Sequence, residues 1–352
     1  MTTSSVATSL SSLTTLRVGG TAARLVTAAT AAELVEAVSV ADSADEPVLL
    51  IGGGSNLLIG DGGFDGTVIR ISTRGVQLES ADYCGGAEVT VEAGEPWDPL
   101  VEHVVAQGWT GLEALSGIPG STGATPIQNV GAYGAEVATE IAWVRAWDRS
   151  ARSIRTLSAS ECGFRYRDSR FKRERFRSGP RFVVLQVRFQ LLVADLSAPI
   201  RYAELARALD VELGSRVPLA RVREAVLALR RSKGMVLDAD DHDTWSAGSF
   251  FTNPILTDSQ AAMLPPEAPR YPAGDGLVKT SAAWLIDHSG FGKGFGLPGP
   301  ASLSTKHTLA ITNRGSASAA DVLRVAREVR DGVRQAFGLD LVPEPELINC
   351  SL

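Results

Sequence analysis

The sequence predicts an α+β protein built from two or three domains. At 352 residues the chain exceeds what one hydrophobic core usually organises. Short apolar or alternating stretches, typical of strands, recur between helical stretches over its first two thirds. The last third differs, because its two longest periodic segments, residues 219–232 and 319–337, have the spacing of amphipathic helices.

The first region, residues 1–73, has the order of a small βαβ-like unit. An Ala-rich segment predicts a helix over residues 30–42, and the apolar run 47–51 predicts a buried strand. Three consecutive glycines follow this strand, and a second strand is predicted over residues 66–71.

The second region, residues 74–212, is predicted to be a further α+β part, and a third region covers residues 213–337. The boundary is placed near residues 211–217. In the second region we expect strands at 88–92, 140–147, 153–156 and 182–192, and helices at 97–107 and 202–209. In the third we expect helices at 219–232, 280–288 and 319–337. Residues 338–352 form a Pro-containing extended segment that is expected to return to the active site.

The composition is that of an ordinary globular protein, with 44% hydrophobic residues, 21% charged residues and 35 glycines. A net charge of -6 argues against general nucleic-acid binding. The Ser/Thr-rich start, residues 1–12, is expected to be frayed and carries no export signal, and no apolar run is long enough to cross a membrane. We expect a cytoplasmic monomer without a metal site, whose three cysteines are reduced thiols.

The first glycine-rich motif, Gly52-Gly53-Gly54-Ser55-Asn56-Leu57-Leu58, comes directly after a predicted strand. Glycines there let backbone N–H groups approach a pyrophosphate without interference from Cβ. The spacing is not G-x-G-x-x-G, so a purely structural turn remains an alternative.

A second motif occupies residues 116–134 with the sequence SGIPGSTGATPIQNVGAYG. So long a run of small residues is typical of backbone that lies along an extended cofactor. A flexible surface loop is the alternative, although Ile118, Ile127 and Val130 are poor choices for a solvated linker.

Together these two motifs resemble the flavin-binding signature of the UDP-N-acetylenolpyruvoylglucosamine reductase (MurB) family, in its longer form with a tyrosine loop. The resemblance continues through Leu16-Arg17-Val18-Gly19-Gly20, Tyr166-Arg167-Asp168-Ser169, Ala247-Gly248-Ser249-Phe250-Phe251 and Pro343-Glu344-Pro345-Glu346. It spans essentially the whole chain in family order. It implies a two-part FAD-binding domain of the vanillyl-alcohol-oxidase-like (PCMH) type plus a C-terminal α+β substrate-binding domain.

The resemblance also implies the cofactors, noncovalent FAD and NADPH, and the substrate, UDP-N-acetylglucosamine enolpyruvate. NADPH would reduce the flavin, and the flavin would then saturate the enolpyruvyl group in a ping-pong sequence. The residues it assigns to FAD are Gly52, Gly53, Gly54, Ser55, Asn56, Leu57, Ser116, Gly117, Pro119, Gly120, Gly123, Ala124, Gln128, Asn129, Gly131, Ala132, Tyr133 and Gly134.

The segment from Arg165 to Arg181 carries eight basic residues and two acidic ones, which suits an anion. A solvated basic hairpin or an RNA contact also accounts for most of these charges. The resemblance singles out Arg167, whose guanidinium would pair with the substrate carboxylate and then with the enolate.

Ser249 lies between a glycine and two phenylalanines, a setting that a turn or helix cap also explains. No Gly-x-Ser-x-Gly elbow surrounds it, so a serine hydrolase is disfavoured. By resemblance, Ser249 is the general acid that protonates C2 of the enolate, and Glu346 assists the same enolate. An exposed acidic tail is the alternative for Glu346. Glu344 is the competing assignment, because the segment reads Pro343-Glu344-Pro345-Glu346-Leu347 where the family usually has Leu-Glu-x-Glu-Val.

For the substrate, the resemblance points to Lys233 and Asn253 at the diphosphate and to Tyr202 on a loop over the nucleotide. The match at Lys233 is looser, because a connection rich in Asp and His, residues 235–246, follows it. Tyr202 would otherwise anchor a helix in the core.

Two other functions remain to be compared. A flavin oxidase would want a histidine or cysteine tether in the glycine motifs, and neither motif contains one. A flavin- or nucleotide-binding regulatory module would leave Arg167, Ser249 and Glu346 without a shared purpose.

Overall fold

The computed structural model describes residues 2–4 and 8–352. The chain divides into two compact units, each drawn from several stretches of sequence. Unit 1 comprises Met1–Thr8, Ala22–Gly53 and Phe64–Val236, and unit 2 comprises Ser9–Thr21, Gly54–Gly63 and Leu237–Leu352.

The α-helices of the described residues are α1 (Ala31–Ser43), α2 (Trp97–Ala106), α3 (Arg170–Arg173), α4 (Ala203–Leu209), α5 (Leu219–Ser232), α6 (Asp258–Ala262), α7 (Ala282–His288) and α8 (Ala319–Phe337). The strands are β1 (Thr2–Ser4), β2 (Thr8–Ser9), β3 (Thr21–Ala28), β4 (Val48–Ile51), β5 (Leu57–Ile59), β6 (Phe64–Ile71), β7 (Val76–Asp82), β8 (Gly86–Glu92), β9 (Trp109–Thr110), β10 (Gly131–Ala132), β11 (Ala135–Glu136), β12 (Ile141–Asp148), β13 (Ser153–Ser158), β14 (Arg175–Phe176), β15 (Gly179–Pro180), β16 (Phe182–Val193), β17 (Ser246–Ser249), β18 (Ile255–Leu256), β19 (Tyr271–Pro272), β20 (Val278–Lys279), β21 (Ala301–Leu303), β22 (Ala310–Asn313) and β23 (Glu346–Ile348).

The first sheet of unit 1 has parallel strands β3, β6 and β4, with β6 in the middle. Helix α1 connects β3 to β4 and buries Leu34 and Val38 against Val26 and Ile69. It begins after Thr30, whose side chain accepts a hydrogen bond from the backbone N–H of Glu33. The predicted helix and the two predicted strands that follow it are thereby confirmed. The sequence analysis missed strand β3, because the threonines, alanines and arginine of this segment do not alternate regularly.

The second sheet of unit 1 is antiparallel and has the order β13-β12-β16-β8-β7, with β9 paired to β16. Helix α2 packs against it through Trp97, Leu100 and Val104. The indole N–H of Trp97 donates to the carbonyl of Leu115 at 3.0 Å, which ties the helix to the start of the loop that follows. The strands predicted around residues 88–92, 140–147 and 182–192 are confirmed.

Helices α4 and α5 share a small hydrophobic cluster that contains Leu205, Leu209, Val222 and Val226. Val217 belongs to the same cluster and Val211 packs against it, while residues 212–214 and Arg216 between them are exposed. The division into functional parts at residues 73, 212 and 337 stays a prediction, since compact units and functional domains are different divisions of a chain.

Unit 2 contains the three-stranded sheet β17-β22-β21, the small sheet β18-β20-β19 and the parallel pair β23-β5. Helices α7 and α8 bury apolar side chains in its core, among them Leu285, Ile286, Val322, Val325 and Val329. Helix α8 has the bounds that its periodicity predicts. It begins at a capping box, in which Ser318 and Asp321 each bond the other's backbone N–H.

The ends of the chain differ from two expectations. Residues 2–4 pair with β3, and residues 10–13 form a short 3-10 turn, so the expected fraying is wrong for these residues. Met1 and residues 5–7 lie outside the described part. Near the other end, Glu346 is half-buried in strand β23, which pairs with β5, rather than part of an exposed acidic tail. Among the described residues, no helix is both long enough and apolar enough to cross a bilayer.

Candidate functional site

The two glycine motifs approach each other within unit 1, where Gly52 and Gly53 follow β4. A Cβ on Gly53 would lie 2.6 Å from the Cα of Gly120, and one on Gly52 would lie 2.2 Å from the Oγ of Ser121. Both glycines are therefore required by the close approach of two backbones. A purely structural turn therefore accounts for both Gly52 and Gly53. Their contact with a ligand remains a prediction.

The loop over residues 116–134 is fixed at its first turn. Asp98 of α2 accepts a hydrogen bond from the N–H of Gly117 at 2.6 Å and forms a bidentate ion pair with Arg223 of α5. Burial alone would raise the pKa of Asp98, but Arg223 and the Gly117 N–H together lower it. Ser116 is fully buried, and its hydroxyl donates to the carbonyl of Glu113. The loop is thus an ordered element, which disfavours the flexible-loop alternative.

Several residues of this loop have left-handed backbone. They include Gly117, Gly120, Asn129, Tyr133 and Gly134. Asn129 is buried, accepts a hydrogen bond from the Ala138 N–H and donates to Glu136 and to the carbonyl of Arg165. Its side chain is therefore engaged in holding the loop. Pro119 and Gln128 are half-buried and Ala124 is exposed.

Arg167 lies beside the far end of the same loop. Its guanidinium donates to the carbonyl of Gly131 at 2.7 Å and to that of Asn129 at 3.4 Å. Its backbone φ is 53°, an unusual value for a residue with a side chain. These contacts orient the guanidinium by carbonyl oxygens.

The basic segment around Arg167 is partly engaged in ion pairs. Arg181 bonds Asp148 and Glu174, and Arg170 also bonds Glu174. Arg149 pairs with Asp42 nearby. Four of the eight basic residues of the segment therefore form ion pairs within unit 1, namely Arg170, Arg173, Arg177 and Arg181, and a nucleic-acid contact is not needed to account for these.

Tyr133, Tyr202 and Lys233 come together in unit 1. The two tyrosine rings meet edge to face with centroids 5.6 Å apart, and the Lys233 ammonium lies 5.8 Å from the Tyr133 ring. Burial raises the pKa of Tyr133 to about 12, so the phenol is neutral at physiological pH. Lys233 pairs with Glu204 at 2.6 Å, so a phosphate would have to compete with this carboxylate.

Unit 2 holds the remaining predicted residues. Strand β17 ends at Ser249, which is half-buried and lies opposite Ala310 of β22. Gly248 has φ 76°, and no atom lies within 4 Å of the position that its Cβ would occupy. Open space therefore borders Gly248, the residue before Ser249.

The C-terminal segment runs along β17 and the residues after it. The Glu344 N–H donates to the Phe250 carbonyl at 2.8 Å, and the Thr252 N–H donates to the Val342 carbonyl. Asn56 then joins both glutamates, since its amide donates to the Glu344 carbonyl and its own carbonyl accepts from the Glu346 N–H. The structure thus brings Asn56, Ser249 and both candidate glutamates into one part of unit 2.

Asn253 has a structural contact of its own. Its side-chain oxygen accepts a hydrogen bond from the N–H of Ala282, the first residue of α7. The predicted contact of Asn253 with substrate would therefore depend on its amide nitrogen.

Two family models match the chain. The FAD binding domain matches residues 22–156, and the C-terminal domain of UDP-N-acetylenolpyruvoylglucosamine reductase matches residues 240–348. A UDP-N-acetylenolpyruvoylglucosamine reductase of Cutibacterium acnes is 56% identical over 345 residues, which is 97% of this chain and 90% of that protein. The chain belongs to the UDP-N-acetylenolpyruvoylglucosamine reductase family.

Other members of the family agree with this assignment. The Streptomyces avermitilis reductase is 56% identical over 97% of this chain and 94% of its own length. A crystal structure of the Thermus caldophilus reductase, 27% identical, superposes with a TM-score of 0.65 over 97% of both chains. The predicted family, the α+β fold with a PCMH-type FAD-binding domain, and the FAD cofactor are confirmed.

The sequence does not predict the residues that hold the segment Thr15-Leu16-Arg17 in place. The side-chain amide of Asn313 donates to the carbonyls of Leu16 and Arg17, and the hydroxyl of Thr15 donates to the carbonyl of Ser246. Asn313 is 297 residues from Leu16, and no local pattern signals such a contact.

Tyr202 gives a first prediction for this reductase family member. It lies at the start of α4 with 44% of its surface exposed, so removing its side chain should affect stability little. We expect Tyr202→Ala to raise KM for the UDP-sugar about tenfold, the loss expected for one polar or stacking contact. KM and the melting temperature should be measured for Tyr202→Phe and Tyr202→Ala.

Tyr202→Phe is the matched control, since it keeps the ring beside Tyr133 and removes only the hydroxyl. An unchanged KM for Tyr202→Ala beside a stability loss of about 3 kcal/mol, as for truncating a buried aromatic residue, would exclude Tyr202 from the site.

Proposed function

We propose that this chain reduces UDP-N-acetylglucosamine enolpyruvate to UDP-N-acetylmuramate with NADPH and bound FAD, a step of peptidoglycan precursor synthesis. The observation that carries the proposal is the path of the C-terminal segment. It bonds the backbone of Glu344 to Phe250, the residue after Ser249, and the backbone of both glutamates to Asn56, in a chain that belongs to the reductase family.

The residues present fit a flavin cofactor. The loop over residues 116–134 is ordered, has several left-handed residues, and is anchored by Asp98 at Gly117. At Gly134 the nearest side chains and backbone would lie 3.6 Å or more from an added Cβ, so the backbone there is accessible to a ligand. In this proposal the flavin also contacts the last residues of the loop, Gly131, Ala132, Tyr133 and Gly134. The other residues proposed to contact the flavin are Ser55, Asn56 and Leu57.

When bound, FAD supplies the hydride that NADPH has delivered. Arg167 would bind the substrate carboxylate, because two carbonyls orient its positively charged guanidinium. As the carboxylate takes on enolate character, this charge stabilises it. Glu346 would assist the same enolate by a hydrogen bond, and Ser249 would give its proton to C2. Lys233, Asn253 and Tyr202 would hold the nucleotide diphosphate.

The organisation around this activity is also a proposal. The chain would act as a cytoplasmic monomer that binds neither nucleic acid nor membrane. Residues 1–73 and 74–212 would form the two parts of the FAD domain, residues 213–337 the substrate domain, and residues 338–352 the returning segment.

We expect the purified protein to be yellow with noncovalent FAD, because neither glycine motif contains a histidine or cysteine that would tether a flavin. Acid precipitation should release the flavin into the supernatant. Anaerobic NADPH should bleach the flavin absorbance, and the enolpyruvyl substrate should restore it.

An oxidase would behave differently in both measurements. Colour retained on the precipitated protein, or restoration of absorbance by oxygen alone with no response to the enolpyruvyl substrate, would contradict the proposed function.

A further inference from the structure

Arg17 has an unusual backbone that the surrounding residues hold in place. Its φ is 55°, in the left-handed region that residues with a side chain seldom adopt. Its N–H donates to the Thr14 carbonyl, and its own carbonyl accepts from the amide of Asn313 at 3.1 Å. Such strain persists only where the surroundings impose it, and it is concentrated at functional positions.

The side chain of Arg17 stacks on an indole. Its guanidinium carbon lies 3.7 Å from the centroid of the Trp245 ring, and His242 packs against the same indole with centroids 4.3 Å apart. The buried indole N–H of Trp245 has no hydrogen-bond partner in the described part of the chain. The indole therefore contacts Arg17 through its ring face. This contact orients the guanidinium and leaves the N–H groups of Arg17 available to other partners.

The carboxylates of the neighbouring acidic segment do not neutralise Arg17. Asp241 pairs with Lys306, and Asp243 pairs with Arg314 while accepting two hydrogen bonds from Thr305. Within residues 2–4 and 8–352, the guanidinium of Arg17 makes no ion pair or hydrogen bond. A half-buried, oriented and uncompensated guanidinium is a receptor for an anion.

The place of Arg17 in unit 2 connects it with Ser249. Trp245 directly precedes β17, the strand that ends at Ser249, and the hydroxyl of Thr15 bonds the carbonyl of Ser246. The Trp245 carbonyl also accepts from the N–H of Asn313, the residue whose side chain holds Arg17.

We propose that Arg17 binds a phosphate group of a nucleotide ligand, and that Trp245 is the positioning residue that orients its guanidinium. This inference rests on the proposed function, in which every ligand is a nucleotide: the FAD pyrophosphate, the NADPH phosphates and the UDP diphosphate share this chemistry. The planar guanidinium bonds phosphate oxygens in a bidentate manner, which a lysine ammonium does not.

The test uses Arg17→Met, which keeps an unbranched side chain over the indole and removes the charge. Glycine is avoided because it would relax the left-handed backbone. Riboflavin, FMN and FAD are titrated into flavin-free protein, followed by flavin fluorescence. KM is then measured for NADPH, NADH and the UDP-sugar.

We expect Arg17→Met to weaken one phosphate-bearing ligand about 10- to 100-fold, the range for a charge-assisted hydrogen bond. Weaker FAD with unchanged riboflavin assigns the cofactor pyrophosphate. A KM increase for NADPH but not for NADH assigns the extra phosphate of NADPH, and an increase confined to the UDP-sugar assigns its diphosphate. Trp245→Phe should retain more of the affinity than Trp245→Leu, because only phenylalanine offers a ring face.

Arg324→Met is the matched control, since it removes one exposed positive charge from α8 of the same unit. Unchanged affinity for all the ligands in folded Arg17→Met overturns the inference. Equal losses in Arg17→Met and Arg324→Met overturn it as well, because they would reflect net charge alone. Wild-type protein that binds no flavin and does not respond to NADPH contradicts the proposed function itself, which separates the two failures.

Discussion

Ser249→Ala is expected to leave reduction of the flavin by NADPH nearly intact and to abolish its reoxidation by the enolpyruvyl substrate. The serine is needed only when C2 takes up a proton, and its side chain is half-buried at the end of β17. Loss of a positioned proton donor typically costs about a hundred- to ten-thousand-fold in rate. Stopped-flow absorbance at the flavin band measures each half-reaction separately.

Ser246→Ala is the matched control on the same strand. The Ser246 hydroxyl is buried and accepts a hydrogen bond from the N–H of Gly248, so its loss removes a turn contact only. Its substitution should affect stability but neither half-reaction by more than a few-fold. If the first half-reaction of folded Ser249→Ala falls as much as the second, the general-acid role is wrong.

Glu346→Ala is expected to slow the same second half-reaction about a hundred- to a thousand-fold, the loss typical of one donor to a developing oxyanion. Its backbone N–H bonds the Asn56 carbonyl in both variant and wild type, so strand β23 should remain paired. The measurement is again single-turnover reoxidation, together with KM for the UDP-sugar.

Glu344→Ala decides between the two glutamates. Both are half-buried, and both are held at the backbone, Glu344 by Phe250 and Glu346 by Asn56. We expect the Glu344 variant to reoxidise within a few-fold of wild type. The reverse order of effects would move the enolate contact from Glu346 to Glu344.

Much of the local structure could be predicted from sequence because local interactions determine it. Helices α5 and α8 have the bounds that their periodicity predicts, and Ser318 with Asp321 forms the cap that starts α8. The glycine motifs were located correctly after β4 and between α2 and β12. Their packing was not foreseen, because Gly53 meets Gly120 across a long stretch of chain.

The candidate site shows the same limit. The resemblance points to Ser249, Glu346 and Arg167. The residues that hold the backbone of the site come from distant parts of the chain and are not part of that resemblance. Asn313 holds the carbonyls of Leu16 and Arg17, and Asn56 holds the backbone on either side of Pro345. These contacts depend on the tertiary fold, which carries no repeating signature in a single sequence.

The pairing of β23 with β5 also affects the order in which the protein can fold. Asn56 and Glu344 are 288 residues apart, so the contact that places the C-terminal segment closes one of the longest loops the chain can form. During synthesis, the strand Leu57–Ile59 leaves the ribosome long before its partner exists. Its backbone groups stay unpaired with β23 until Glu346–Ile348 is synthesised. The side chain that we propose to assist the enolate is therefore among the last groups to be put in place.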